Sequence, residues 1–376
     1  MNAALPSLDL RRAEARERFR AKGVPHRRIE EWKYSDLRAS LDDEHVAQEG
    51  AAQWRVEALP DGVELFDLSA GNAPDWVTRN LGAIDGSGAM AAASFVFAKG
   101  GVALRATRAV EGAARLHLSA AGHTRVLIVL EENASLTLME TQSNDAVELR
   151  NVGTEIVLAS GSKLSHARLA ANAPKSIQVE TIAVKAAAGA SYRAHFANFG
   201  AKLSRVDMNI VLEGENAEAH LSGATVLANG HADVTTHIAH AAGNTRSTQL
   251  FKNVAGGHSR AIYQGKITVR EGANGSDSRQ SAKGLLLGER AEIDLKPELE
   301  IFADDVKCAH GAAIGDLDVD SLFYLRARGI PDSEARALLI RAFLEDAVAE
   351  IENEEIRASV WREVEGALAR ANEAAP

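Results

Sequence analysis

The only cysteine in this chain of 376 residues stands two places before a histidine, in the stretch DDVKCAHGAAIGD (304–316). In an extended segment, residues i and i+2 point the same way, with Cα atoms about 6.6 Å apart. Cys308 and His310 would therefore aim at one spot. A thiolate and a neutral imidazole are ligands for zinc, copper and iron–sulfur centres. Such sites take about four protein ligands, so this pair is at most a half-site, and the remaining ligands would come from another chain. Two other readings stay open. A lone cysteine is often a small buried hydrophobe. A cysteine–histidine nucleophile pair needs thiol and base within hydrogen-bond reach, whereas neighbours on one strand face point in parallel.

A second concentration of imidazoles lies upstream: His195, His220, His231, His237, His240 and His258. In ASYRAHFANF (190–199), Ala190, Tyr192, Ala194 and Phe196 share one side of a strand, and Ser191, Arg193 and His195 share the other. AEAHLSG repeats the pattern, with Glu218, His220 and Ser222 on the polar side. Polar rows on successive strands read as an outer sheet face, either solvated or turned toward a partner; a metal- or proton-handling row is the alternative. The chain has no G-x-x-x-x-G-K-[ST], H-E-x-x-H, C-x-x-C or G-x-S-x-G. It is expected to hydrolyse no nucleotide, so an ATP-driven step would need a partner.

Three regions would have to position these residues. Residues 1–98 are mixed. SLDLRRAEARERFRAKG (7–23) reads as a helix capped by Ser7 and stopped by Gly23 and Pro25, and the charged HRRIEEWKYSDL (26–37) follows. Residues 99–315 carry short strands such as RVLIVL (125–130), SLTLME (135–140), EIVLAS (155–160) and IQVETIAV (177–184), separated by Gly/Asn turns. Asn133, Gly161 and Gly189 stand 28 apart, and Gly214, Gly230, Gly243, Gly257, Gly272 and Gly288 follow at steps of 25, 16, 13, 14, 15 and 16. That spacing predicts stacked coils, a β-solenoid with an interior of Val, Leu, Ile and Ala. Asn229–Gly230 and Asn274–Gly275 keep a β-sandwich open as the alternative. Residues 316–376 switch to helical periodicity and predict a small bundle, in which Ala335, Leu338, Leu339, Phe343 and Val348 lie near one face of the middle helix.

The bulk composition fits a folded chain, with 46% hydrophobic and 25% charged residues. A net charge of −10 argues against nucleic acid or an anionic membrane as the main partner. No secretory signal or membrane span is legible. With a single cysteine, a cytoplasmic location is expected.

Two stretches resemble a known family. RRIEEWKYSDL resembles the amino-terminal motif of the SufB/SufD family of iron–sulfur cluster assembly proteins, and ADDVKCAHGAAIGDLDVDSLFYLRARGIPDSEARALLIRAF (303–343) resembles its carboxy-terminal signature. The C-x-H-G form, Cys308–Ala309–His310–Gly311, looks like the SufD branch; the SufB branch carries a glutamate in an H-E-A context absent here. The resemblance implies a right-handed parallel β-helix core flanked by an N-terminal mixed region and a C-terminal helical bundle. It implies a non-catalytic scaffold that pairs with a SufB-like chain, or with itself, through the β-helix. A SufC-like ATPase would bind through the C-terminal helices. It also implies that His310, with Cys308 nearby, contributes to a transient iron–sulfur cluster at the subunit interface. A reduced flavin accompanies such complexes, but no flavin motif is legible in this chain.

Two other classes remain. In a purely structural β-solenoid, Cys308 would be inert. A β-helix polysaccharide enzyme would favour exposed aromatics along the coils, yet Trp32, Trp54, Trp76 and Trp361 all lie outside the predicted solenoid.

Overall fold

The computed structural model describes residues 7–373 apart from 42, 49–52, 85–87, 120 and 145–148. Helix α1 (Leu8–Lys22) starts where Ser7 Oγ accepts the Leu10 N–H at 3.3 Å and ends at Gly23, whose φ of 63° is the left-handed turn expected there. A 3-10 turn (Glu30–Trp32) and α2 (Asp43–Val46) follow. Strands β1 (Gln53–Ala58) and β2 (Val63–Asp67) and helices α3 (Asp75–Asn80) and α4 (Ala89–Phe97) complete the N-terminal elements.

From there the chain winds. β3 (Gly101–Ala106), β4 (Ala109–Ser119), β5 (Gly122–Leu130), β6 (Ser135–Asn144), β7 (Leu149–Leu158), β8 (Lys163–Asn172), β9 (Ile177–Ala186), β10 (Ser191–Asn198) and β11 (Leu203–Leu212) alternate between two faces. β12 (Glu218–His240) and β13 (Arg246–Val269) each run through both faces, and β14 (Asp277–Leu286), β15 (Glu292–Ile301) and β16 (Lys307–Asp316) end the stack. One ladder runs β4–β6–β8–β10–β12–β13–β14–β16; the other runs β3–β5–β7–β9–β11–β12–β13–β15, every pair parallel. The chain is a mainly β protein built on a β-solenoid of about 8 turns. A β-sandwich is excluded, because its sheets would be antiparallel.

The coil period is set by left-handed residues stacked at one corner: Asn133, Gly161, Gly189, Asn216, Asn244 and Gly275, all with φ between 57° and 76°, at steps of 28, 28, 27, 28 and 31. Each backbone N–H bonds to the coil beyond, as in Gly161 N–H to Ala188 O at 2.9 Å. The glycine spacing therefore locates the first three rungs correctly and then departs from the corner. Gly214 and Gly243 are not rungs; Asn216 and Asn244 take those places, since asparagine tolerates the same conformation.

The interior is not wholly aliphatic. Val, Leu, Ile and Ala fill most of it, but Glu140, Gln142, Arg150, His166, Arg168, Gln178 and Glu180 are all buried and point inward. Arg168 Nε donates to Glu180 Oε2 at 2.8 Å and its guanidinium to Asn198 at 2.6 Å; Arg150 donates to Gln178 at 2.7 Å and Asn172 at 2.8 Å. Buried charges are stabilised by pairing and hydrogen bonding: Arg168 and Glu180 form such a pair, Arg150 is held by amide oxygens, and Glu140 faces His166 at 3.6 Å.

The outer faces are covered. The Glu30–Trp32 turn and its flanks clamp the second ladder. The Trp32 ring lies over Arg205 at 4.2 Å, Ser35 donates to Asp233 at 2.6 Å and meets His231 at 2.7 Å, and Lys296 reaches Glu30 at 2.8 Å. On the first ladder lie α6 (Asp332–Val348) and α7 (Glu354–Glu373), joined to β16 through α5 (Val319–Ala327). Ile340, Leu344, Val348, Val360 and Trp361 pack on Met139, Leu169, Phe199 and Val226. The buried face of α6 is Ala335, Ile340, Leu344, Ala347 and Val348, so the expected face is rotated: Leu338 is 44% exposed. The α7 contact and the ion pair from Lys252 to Asp346 at 3.0 Å set the helix rotation, which periodicity alone does not.

Candidate functional site

The two ends of the solenoid differ. At the start, β1 pairs antiparallel with β4 and β2 with β3, so the outermost strands there run against the coils they cover, each with one partner among the described residues. At the finish, β15 pairs only with β13, and β16 only with β14, among the described residues. β15 and β16 have no buried residue. Residues that would face the lumen of a further coil are open instead.

Cys308 and His310 lie on β16. In the parallel register Cys308 stands opposite Ser278 and His310 opposite Gln280. Ser278 and Gln280 are interior residues, 0% and 3% exposed. Parallel partners share a face, so Cys308 and His310 project from the lumen side of the last coil. Cys308 is half-buried against the cluster of Ile267, Val269 and Ala273, and His310 is exposed. Burial, reinforced by Asp277, pushes the Cys308 thiol up, so the isolated chain holds a thiol rather than an activated thiolate. Among the described residues, no group of three or more His, Cys, Asp or Glu side chains could hold a metal ion. A cluster placed here would need ligands from elsewhere.

Behind each candidate ligand runs a buried polar column. His240 Nε2 meets Ser247 Oγ at 2.9 Å, and Ser247 meets Ser278 at 2.7 Å, one strand from Cys308. Thr236 donates to Gln249 at 2.6 Å, Tyr263 donates to Gln249 at 3.0 Å, and Gln280 donates to Tyr263 at 2.8 Å, one strand from His310. Apart from His240, none of these residues stood out in the sequence. Their signal was faint: serine and glutamine at inward positions of strands otherwise filled by apolar side chains.

The upstream histidines do not gather. His195 is buried beneath α6, with Nδ1 on Ser222 Oγ at 2.8 Å, and burial lowers its pKa to about 4. Arg193 pairs with Glu352 at 3.2 Å and Glu350 at 3.6 Å. That row is an outer face, as expected, but the chain's own helices cover it. His220 bonds Thr248 at 2.8 Å, His237 bonds Thr268 at 3.0 Å, and His231 belongs to the Ser35 clamp. His240 faces inward, and His258 lies exposed at the corner opposite the Asn/Gly rungs.

A cleft of about 430 Å³ separates the Glu30–Trp32 turn from the sheet. Its one aromatic, Trp32, is engaged by Arg205, so it offers no stacking platform for a sugar. α5 carries no buried residue, and Val319, Phe323 and Tyr324 stand 76%, 73% and 56% exposed.

Comparison with known proteins adds an independent line. Residues 113–343 match the family model described as SUF system FeS cluster assembly, SufBD core domain. The iron–sulfur cluster assembly protein SufD of Escherichia coli is 33% identical over 241 residues, 63% of this chain and 57% of that protein. A SufBD family protein of Synechocystis sp. is 33% identical over 242 residues, 60% of this chain and 52% of that one. A SufBD family protein of Mycobacterium tuberculosis is 26% identical over 365 residues, 92% of this chain and 89% of that one. The chain thus spans a little over half the length of the first two relatives.

Proposed function

This chain belongs to the SufBD family of iron–sulfur cluster assembly proteins, and we propose that it serves there as a non-catalytic scaffold subunit whose open solenoid end holds part of a transient cluster. The observation that carries this reading is the placement of Cys308 and His310, side by side on the lumen face of the last strand, which pairs on one edge only among the described residues. The cluster is cargo in this scheme. His310 supplies an imidazole, Cys308 an accessory thiolate or sulfur relay, and a SufB-like partner or a second copy supplies the main thiolates. One cysteine cannot hold a four-thiolate cluster. A mixed shell with a weaker imidazole ligand releases its cargo more readily than four thiolates, as a scaffold requires.

The same arrangement supports the partner assignments. An open β edge with N–H and C=O groups unpaired is a pairing surface, suited to a SufB-like solenoid. The exposed apolar residues of α5 form a patch of the kind that marks protein contact, and a SufC-like ATPase docks there. Flavin in the assembled complex is proposed from the family resemblance alone.

The test is reconstitution with the partner chains. His310→Ala should leave Tm and complex formation unchanged while cluster formation falls at least about 10-fold, a ligand-sized loss; Cys308→Ala should fall less. Wild-type cluster formation by His310→Ala would sink the reading. A purely structural solenoid predicts in addition that Cys308 resists thiol labelling in the folded chain, whereas a half-buried thiol at an open end should label in the isolated subunit and be protected in the complex.

A further inference from the structure

The column behind His310 ends on an unanswered hydrogen-bond acceptor. Tyr263 commits its hydroxyl hydrogen to Gln249 Oε1 at 3.0 Å, so its oxygen accepts from Gln280 Nε2 at 2.8 Å. That turns Gln280 Oε1 away from the column, and Oε1 is buried without a hydrogen-bond partner among the described residues. Leaving such an acceptor bare forfeits the hydration the carbonyl has in the unfolded chain. The space for this amide is reserved: a Cβ at Gly265 would lie 1.5 Å from Gln280 Nε2 and 2.5 Å from Tyr263 Oη. The side chain in register with Gln280 on the next strand is His310, about 4.8 Å away by strand spacing.

We infer that Gln280 is the positioning residue of His310: its Oε1 accepts the N–H of one imidazole nitrogen and leaves the lone pair of the other directed out of the open solenoid end. A metal-binding imidazole must be neutral, and the hydrogen bond made by one nitrogen decides which nitrogen is free for metal. Tyr263 holds the Gln280 amide in the orientation this needs, and Thr236 and Gln249 hold Tyr263. The column is then a rigid second layer beneath an exposed ligand, and it removes the search over tautomers and ring orientations that a free surface histidine would make. The inference rests on the reading of His310 as a cluster ligand and deepens it, but the hydrogen bond can be measured without any cluster.

The experiment uses the full chain with ¹⁵N-labelled histidine, His310 being assigned by loss of its signals in His310→Ala. In the wild type at neutral pH, the two ring ¹⁵N shifts of His310 should be widely split, the signature of one fixed tautomer. Gln280→Leu should collapse them toward the averaged pair of a freely exchanging imidazole. Gln280→Glu keeps an acceptor oxygen at the same place and should restore the splitting, while Gly265→Ala, which displaces the amide, should reduce it. In the reconstituted complex, Gln280→Leu should slow cluster formation roughly 10-fold, with recovery in Gln280→Glu. Averaged shifts in the wild-type chain overturn the inference, even if the leucine variant does not fold. Unchanged splitting in a folded Gln280→Leu overturns it too. A split signal that depends on Gln280, together with wild-type cluster formation by His310→Ala, would establish the positioning contact and sink the ligand reading instead.

Discussion

At the scale of single residues, the histidines divide by environment. Burial lowers His123, His195 and His240 to about 4 each, whereas His310 is exposed. Each of the three is buried neutral and hydrogen-bonded: His123 to the Val46 carbonyl at 2.7 Å, His195 to Ser222 at 2.8 Å, His240 to Thr245 at 2.8 Å. An unfolded histidine takes up its proton near 6.5; the folded ones take theirs near 4. Between these limits the unfolded chain binds more protons, so stability is full above about pH 6.5 and declines as pH falls toward 4. Thermal unfolding followed by circular dichroism should show Tm dropping steeply from pH 6.5 to 4.5, and His240→Gln should flatten that slope. A Tm independent of pH across this window would mean that these imidazoles are solvated. That Cys308 and His310 share a strand face was legible because period-2 geometry is local. The partners of the buried histidines were not, because they come from strands 27 or more residues away for His195, and from α2 for His123.

At the scale of elements, the solenoid corner and the N-terminal clamp carry separable loads. The corner needs left-handed backbone, which glycine and asparagine both supply. A Cβ at Gly189 would meet nothing nearer than 4.0 Å, and asparagine already fills equivalent rungs at 133, 216 and 244. Gly189→Asn should therefore cost under about 1 kcal/mol by denaturant titration. Gly230 has a φ of 90°, and a Cβ there would fall 2.0 Å from Ala201 O. Gly230→Ala should cost several-fold more, since both strain and a backbone clash must be relieved; equal losses at the two positions would show that backbone conformation alone sets the corner. The clamp rests on Trp32, 6% exposed over a fully buried Arg205. Trp32→Ala should lose about 3–5 kcal/mol and make α1 susceptible to proteolysis while the coils stay folded. The sequence showed α1, the short strands of the coils and the C-terminal helices, because caps and alternation are local signals; it read residues 38–98 as irregular and so missed β1, β2, α3 and α4. It did not show that RRIEEWKYSDL grips the sheet, because Asp233 lies 198 residues downstream of Ser35 and Arg205 lies 173 downstream of Trp32.

At the scale of the whole molecule, one end of the solenoid is finished and the other is not. The charged residues inside the coils find their neighbours within the chain, Arg168 on Glu180 and Arg150 on the amide oxygens of Gln178 and Asn172. The β1 and β2 caps give the first coil a protected edge. The last coil has no cap among the described residues. Ile301, Phe302 and Ile314 are 42%, 63% and 47% exposed there, beside Cys308 and His310. Repeat proteins need capped ends for solubility, so an uncapped apolar end is best explained as one side of an interface, and the ligand pair proposed above lies on it. A stable interface of this kind should bury above about 1,000 Å². Ile314 points into the lumen column beside the Cys308–His310 side and packs beneath no further coil, so Ile314→Lys should leave the Tm of the isolated chain within a few degrees. The same change should weaken self-association or capture of a SufB-like chain at least 10-fold, or about 1.4 kcal/mol, by sedimentation at micromolar concentration. A variant that unfolds would show that Ile314 serves the chain's own core. One that folds and still pairs at wild-type strength would move the interface away from the open end, and with it the partner ligands that Cys308 and His310 require.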